Sequence, residues 1–264
     1  MSDSIEKVET KDPWEDLKAF TDARIALGRC GVAPPLASTL DFRFAHAQAR
    51  DAVHQIFEWE RIAREIEPMK RTLVVASQAG DRFEYLTRPD KGRLLDADSR
   101  QRLSDCSQAE KGADLCIVVA DGLSARAIHE NAVPFLERFL KQLAGVSISV
   151  SPVCVARNAR VALSDPIGAA LRAKLVCMLV GERPGLSSPN SMGIYLTYDP
   201  LPGKTDEARN CISNVRQGGL SIERAAQKTS YLIENALRLK RSGVALKDEM
   251  PSNYLPFIDT PRLA

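Results

Sequence analysis

No apolar run in this chain approaches the roughly 20 residues that span a bilayer, which argues against a transmembrane helix. Charge of one sign is missing too. The 36 Lys and Arg nearly cancel the 34 Asp and Glu, leaving +2. Nucleic-acid and membrane-surface proteins carry a basic excess on one face, so neither class fits. The six cysteines (Cys30, Cys106, Cys116, Cys154, Cys177, Cys211) form no Cys-x-x-Cys pair, so local zinc and dithiol motifs are absent. They read as reduced, intracellular thiols, with Cys116 and Cys177 packed as small apolar groups in strands. Of three histidines, His46 and His54 are too far apart for the i, i+4 pair of a zinc protease, and His129 falls on the exposed side of a long helix. None adjoins Gly-x-Ser-x-Gly, so each reads as solvated or packed. No Gly-x-Gly-x-x-Gly occurs. Gly203-Lys204-Thr205 imitates the tail of a P-loop, but the required first glycine would fall at Tyr198, inside a predicted strand. Met1–Val8 is acidic and polar, unlike a secretory signal.

What is present is a chain of 264 residues, enough for one large domain or two small ones. Asp12-Pro13-Trp14-Glu15 reads as a helix start. Trp14, Leu17, Phe20 and Leu27 supply a loose apolar stripe, and Gly28 a stop. After the rigid Gly31–Pro35 connector, a second helix is predicted from Ser38 or Thr39 past Val53. Residues 1–110 read as mainly helical, with extended patches at Leu73–Ala76 and Phe83–Leu86.

From Asp114 the pattern changes. Leu115–Ala120 reads as a buried strand ending in Asp121-Gly122. Ser124 caps a long helix with an apolar face at Ile128, Ala132, Phe135, Leu136, Phe139, Leu140 and Leu143, kinked or broken at Pro134. Val146–Val150 and Val153–Val155 read as extended, then a helix near Pro166–Lys174, strands Leu175–Val180 and Gly193–Tyr198, and a closing helix after Ser221. Strands alternating with helices imply crossovers and a parallel sheet. The predicted fold class is α/β. Residues 111–264 form a Rossmann-like, mostly parallel sheet domain, preceded by the helical N-terminal part.

The most informative stretch is Lys174–Leu186. Its apolar run ends abruptly in Gly181-Glu182-Arg183-Pro184-Gly185. A run bounded by turn residues reads as a strand buried on both faces. Parallel sheets place ligands beyond the carboxyl ends of such strands, which would put Glu182 and Arg183 in a binding crevice. An ordinary surface turn is the competing reading.

Four further words accompany it: Tyr85-Leu-Thr-Arg-Pro-Asp-Lys-Gly-Arg93, Asp121-Gly-Leu-Ser124, Ser187-Ser-Pro-Asn-Ser-Met-Gly-Ile-Tyr-Leu-Thr-Tyr198, and Asn210-Cys-Ile-Ser-Asn-Val-Arg-Gln-Gly-Gly219. Together they resemble the small (light) subunit of ethanolamine ammonia-lyase, an adenosylcobalamin-dependent enzyme, from about Thr21 to about Gly243. The resemblance implies a subunit of a carbon–nitrogen lyase that converts ethanolamine to acetaldehyde and ammonia by radical chemistry. Substrate site and most catalytic groups would lie in the large subunit, so no catalytic residue and no metal ligand is assigned here. This chain would help hold cobalamin at the interface with that large subunit, in a hetero-oligomer. The family's cofactor contacts map to Val161 (in Arg-Val-x-x-x-Asp), Glu182 (in Gly-Glu-Arg-Pro-Gly) and Cys211 (in Cys-Ile-Ser-Asn). Ala159 stands where the family often has Gly.

Corrin chemistry fits these residues. A large ring with an apolar face and a rim of neutral amides asks for carboxylates, backbone groups and tight turns. The Asp-x-His-x-x-Gly loop that lends a histidine to cobalt in one class of cobalamin-binding domain is absent. The implied cofactor therefore stays base-on, in keeping with the family. Asn210, Ile212 and Ser213 offer Cys211 no base or cation to lower its thiol pKa, which points to packing or backbone contact. Two alternatives remain: a stand-alone cobalamin or nucleotide module, and a purely structural partner of the large subunit. Met1–Lys11 is too short for a stable targeting helix. That favours the cytoplasm, with a bacterial microcompartment as the family's alternative.

Overall fold

The computed structural model describes residues 9–106 and 110–258. The reading of Met1–Lys11 falls largely outside them, and of that segment Glu9–Thr10 pairs antiparallel with Arg29–Cys30. Asp12 sits ahead of the first helix rather than capping it: its Oδ1 accepts from the Trp14 amide at 2.9 Å, and Trp14 holds the cap position with no side-chain bond. That helix is a six-residue 3₁₀ turn, Glu15–Phe20, with no buried residue. Trp14, Leu17 and Phe20 of the predicted stripe therefore face water, and the helix ends before Leu27 and Gly28. The second helix, α1, spans Leu36–His54, and α2 spans Trp59–Ile66.

Strand β1, Thr72–Ala76, follows. Phe83–Leu86, predicted extended, lies in helix α3, Arg82–Thr87, where the Asp81 side chain accepts from the Glu84 amide at 2.7 Å. An Asp cap outweighs the strand preference of two aromatic residues here. Helix α4 covers Ala97–Ser104 and strand β2 Leu115–Ala120. Ser124 caps α5, Ala125–Leu143, which runs unbroken through Pro134. The buried face of this long helix outweighs one missing hydrogen bond. Val146–Val150 is not a strand; its Val150 makes an isolated bridge to Leu115. Then come β3, Val153–Arg157; α6, Ser164–Ala170; β4, Leu175–Gly181; β5, Met192–Tyr198; β6, Arg209–Val215; and α7, Ile222–Leu239, capped by Ser221.

One mixed sheet runs in the order β1-β3-β2-β4-β5-β6. The first four strands are mutually parallel, whereas β5 and β6 return antiparallel. Strands β2 and β4 are buried throughout, and alternate residues divide between two cores. Leu115, Ile117, Val119 and Leu175, Cys177, Leu179 face α2, α5 and α7. Cys116, Val118, Ala120 and Val176, Met178, Val180 face α4 and α6. Period-two alternation between two helix layers is what a central strand needs. Among the described residues no helix is long and apolar enough to cross a membrane.

Candidate functional site

The chain leaves β2 towards α5 on one face and leaves β3 towards α6 on the other. Such a divergence opens a crevice at the carboxyl ends of the two strands. A protein side chain fills it. Arg82 Nη1 donates to Asp121 Oδ2 at 3.1 Å and to the Gly122 carbonyl at 2.7 Å. Its Nε reaches the Val53 carbonyl at the end of α1. The other Asp121 oxygen accepts from the Ala159 amide at 3.2 Å. Burial raises the Asp121 carboxyl to about 6, against the Arg82 charge, which pulls it down.

Glu182 lies one strand further on. Because β4 pairs antiparallel with β5, Glu182 opens a hairpin loop rather than a crossover. Two glycines lock its base. Gly122 has φ +55, and a Cβ there would meet the Gly181 carbonyl at 2.2 Å. A Cβ on Gly181 would meet the Ser124 carbonyl at 2.1 Å. The loop is tied to α5: Ser124 Oγ donates to the Pro189 carbonyl at 2.8 Å, and Asn131 Nδ2 to the Asn190 carbonyl at 3.0 Å. Two of the sequence words thus meet in space.

The half-buried Glu182 carboxylate is aimed. Its Oε2 accepts from Ser191 Oγ and, at 3.3 Å, from the Asn214 amide. A Cβ on Gly193 would sit 2.9 Å from Oε1 and 3.2 Å from the Tyr195 ring, so this glycine makes room for the carboxylate. Oε1 makes no hydrogen bond among the described residues. Cys211 sits opposite Tyr195 in the β5–β6 register, exposed and free. Loss of water raises its thiol above the ordinary value; the Tyr195 hydroxyl works against this, and the Glu182 charge adds to it. Such a thiol is a poor nucleophile at neutral pH.

Val161 begins the 3₁₀ turn leading into α6. With Tyr195 it packs on the α6-side core, and it lines a cavity of about 930 Å³. Arg93, Arg100, Arg160 and Lys204 make the lining cationic, against Asp206 alone. Arg160 Nε is buried without a hydrogen-bond partner. The structure therefore joins Glu182 and Cys211 through Tyr195 and sets Val161 on the same face of the sheet. Ser191, Gly193 and Tyr195 were not singled out in the sequence, although all three lie within one of the quoted words. A hairpin register bringing Ser191 back to Glu182 was the missing signal.

Comparison with known proteins decides the family. The model of the ethanolamine ammonia-lyase light chain matches residues 11–247. The chain belongs to this family. Ethanolamine ammonia-lyase small subunits of two pseudomonads are similar along nearly their whole length. That of Pseudomonas fluorescens (strain Pf0-1) is 50% identical over 244 residues, covering 92% of this chain and 89% of the relative. That of Pseudomonas syringae pv. tomato is 49% identical over 251 residues, covering 94% and 88%. Members of the ethanolamine ammonia-lyase light chain family are, by name, subunits of a lyase. All three candidate residues fall inside the matched range.

Proposed function

We propose that this chain is the small subunit of an adenosylcobalamin-dependent ethanolamine ammonia-lyase and holds part of the cobalamin against the large subunit. The observation that carries the reading is the Glu182 carboxylate, fixed through one oxygen by Ser191 and Asn214 with the other unbonded beside Gly193. An unbonded acceptor on a tight glycine-floored surface suits the neutral amide rim of a corrin. Exposed Cys211 offers backbone and packing contact beside it. Val161 stands at a cavity whose basic lining, with the orphaned Arg160 Nε, suits the single phosphate of the cofactor's nucleotide tail.

When bound, adenosylcobalamin supplies the homolytic cobalt–carbon cleavage that opens radical chemistry on ethanolamine. This chain's residues bind, orient and exclude water; the substrate and the groups acting on it belong to the large subunit. His46, His54 and His129 lie in none of the three contact segments, so this chain would offer cobalt no histidine in place of the cofactor's own base. The complex works without nucleic acid or membrane, in the cytoplasm, with a bacterial microcompartment as the family's alternative.

Cobalamin titration of the chain alone and of the pair with the large subunit tests this. Weak binding alone and tight binding by the pair are expected. Equal affinity in both states would mean a stand-alone module, and equal affinity of large subunit and pair a purely structural role.

A further inference from the structure

Nine of the seventeen exposed large apolar residues among those described lie between residues 14 and 56. That concentration needs an explanation, because soluble surfaces scatter such residues singly. In the 3₁₀ turn, Trp14, Leu17 and Phe20 recur every three residues, the period that aligns them on one face. They are 66%, 43% and 85% exposed. In α1, Leu36, Leu40 and Phe44 recur every four residues and are 72%, 53% and 66% exposed. The buried residues of that helix, Ala45 and Ala52, are seven apart and fall on its other side. A 19-residue helix thus grips its own chain through two alanines and turns its large apolar groups to solvent.

We propose that this N-terminal face, the 3₁₀ turn and α1 together, is the surface on which the large subunit of the lyase docks. The assignment rests on the small-subunit reading above. Three observations select that occupant. The relatives are named small subunits, so a larger partner is called for. Seven of the nine lie on, or cap, these two elements, and the apolar area they leave in water is on the order of the roughly 800 Å² a side that a stable interface buries. The face is also continuous with the cofactor edge: Arg82 bonds both the Val53 carbonyl at the end of α1 and the Gly122 carbonyl beside Gly181.

The test uses the full chain with the large subunit. A triple variant, Phe20→Asp, Leu40→Asp and Phe44→Asp, changes only exposed residues, so the chain alone should melt as wild type does. Its association with the large subunit, read by sedimentation, should weaken roughly 100-fold or more, as loss of aromatic anchors does. A control, Val244→Asp with Leu255→Asp, alters equally exposed apolar residues elsewhere and should associate normally. Unchanged association of the triple variant, or an equal loss in the control, overturns the assignment. So does a wild-type dimer that the triple variant abolishes while large-subunit binding persists, since the face then serves a second copy. Wild-type chain that fails to bind the large subunit would sink the small-subunit reading as well. Wild-type and triple variant binding alike, with cobalamin held tightly by both complexes, would sink the docking surface alone.

Discussion

At residue scale the site depends on atoms that are missing. Gly122 and Gly181 interlock because neither carries a Cβ. Gly181→Ala would drive a methyl into the Ser124 and Asp121 carbonyls. It is expected to cost about 3 kcal/mol or more, above the usual range for overpacking because the obstacle is backbone. Denaturant unfolding checks this, and a loss under about 1 kcal/mol would mean that the turn relaxes cheaply. Glu182→Ala tests the neighbouring carboxylate. Of its donors, Asn214 is exposed and regains water, while Ser191 is buried and loses one bond, so the fold should lose no more than about 1–2 kcal/mol. Cobalamin affinity of the complex should fall roughly 10- to 150-fold, the worth of one charge-assisted hydrogen bond. A variant that melts much earlier yet keeps its affinity would make Glu182 structural.

At element scale, buried polar pairs fix how helices meet strands. Arg209 at the start of β6 holds Asp165 in α6 through two hydrogen bonds of 2.7 Å, with both side chains 1% exposed. Arg209→Met strands a buried carboxylate and is expected to cost about 3–5 kcal/mol. Adding Asp165→Leu should recover part of the loss, which a double-mutant cycle reads directly.

Helix α5 is stapled to the segment before α2 by His129. This residue is half-buried rather than on the exposed side predicted for it, stacked on Phe57 at 5.8 Å and accepting from the Glu58 amide at 3.0 Å. Burial, then the Arg61 charge, holds its pKa below the ordinary histidine value. The unfolded chain therefore takes up this proton first, and stability from neutral His129 is lost as pH falls through the unfolded value near 6.5. Asp121 has the opposite sign: with its folded pKa raised to about 6, its contribution grows as pH falls. His129→Gln removes the titration while keeping an acceptor. Between about pH 8 and pH 5, wild type should lose more thermal stability than this variant. Equal losses would show that His129 is not linked to folding.

At the scale of the molecule, the mixed sheet divides the labour. Its parallel strands β2, β3 and β4 bury both faces and hold the core, with β1 half-buried at one edge, while the β4–β5–β6 return carries the polar residues to the other edge. The groups with chemical potential are engaged in structure: Asp121 with Arg82, His129 with Glu58, Cys211 beside Tyr195. The purified chain is accordingly expected to show no ethanolamine turnover, and addition of the large subunit to restore it. Turnover by the single chain, measured as acetaldehyde release, would contradict the subunit reading.

Sequence alone determined the elements whose signals are local. Leu115–Ala120 and Leu175–Val180 are continuous apolar runs, and such runs are stable only between two helix layers. Ser124 and Ser221 cap their helices through bonds three residues away, so both starts were legible. The family was legible because its words lie in order along the chain. Tertiary structure decided the rest. Strand β6 holds no continuous apolar run and drew no strand prediction; β5 supplies its partners. The helical Asp81 cap overrode two aromatic residues at α3. Arg82 reached the crevice beside Asp121, 39 positions along the chain. Glu182 and Cys211 came together through Tyr195 because the antiparallel return set that register. Pairing and burial between distant segments are properties of the folded chain, and no local pattern encodes them.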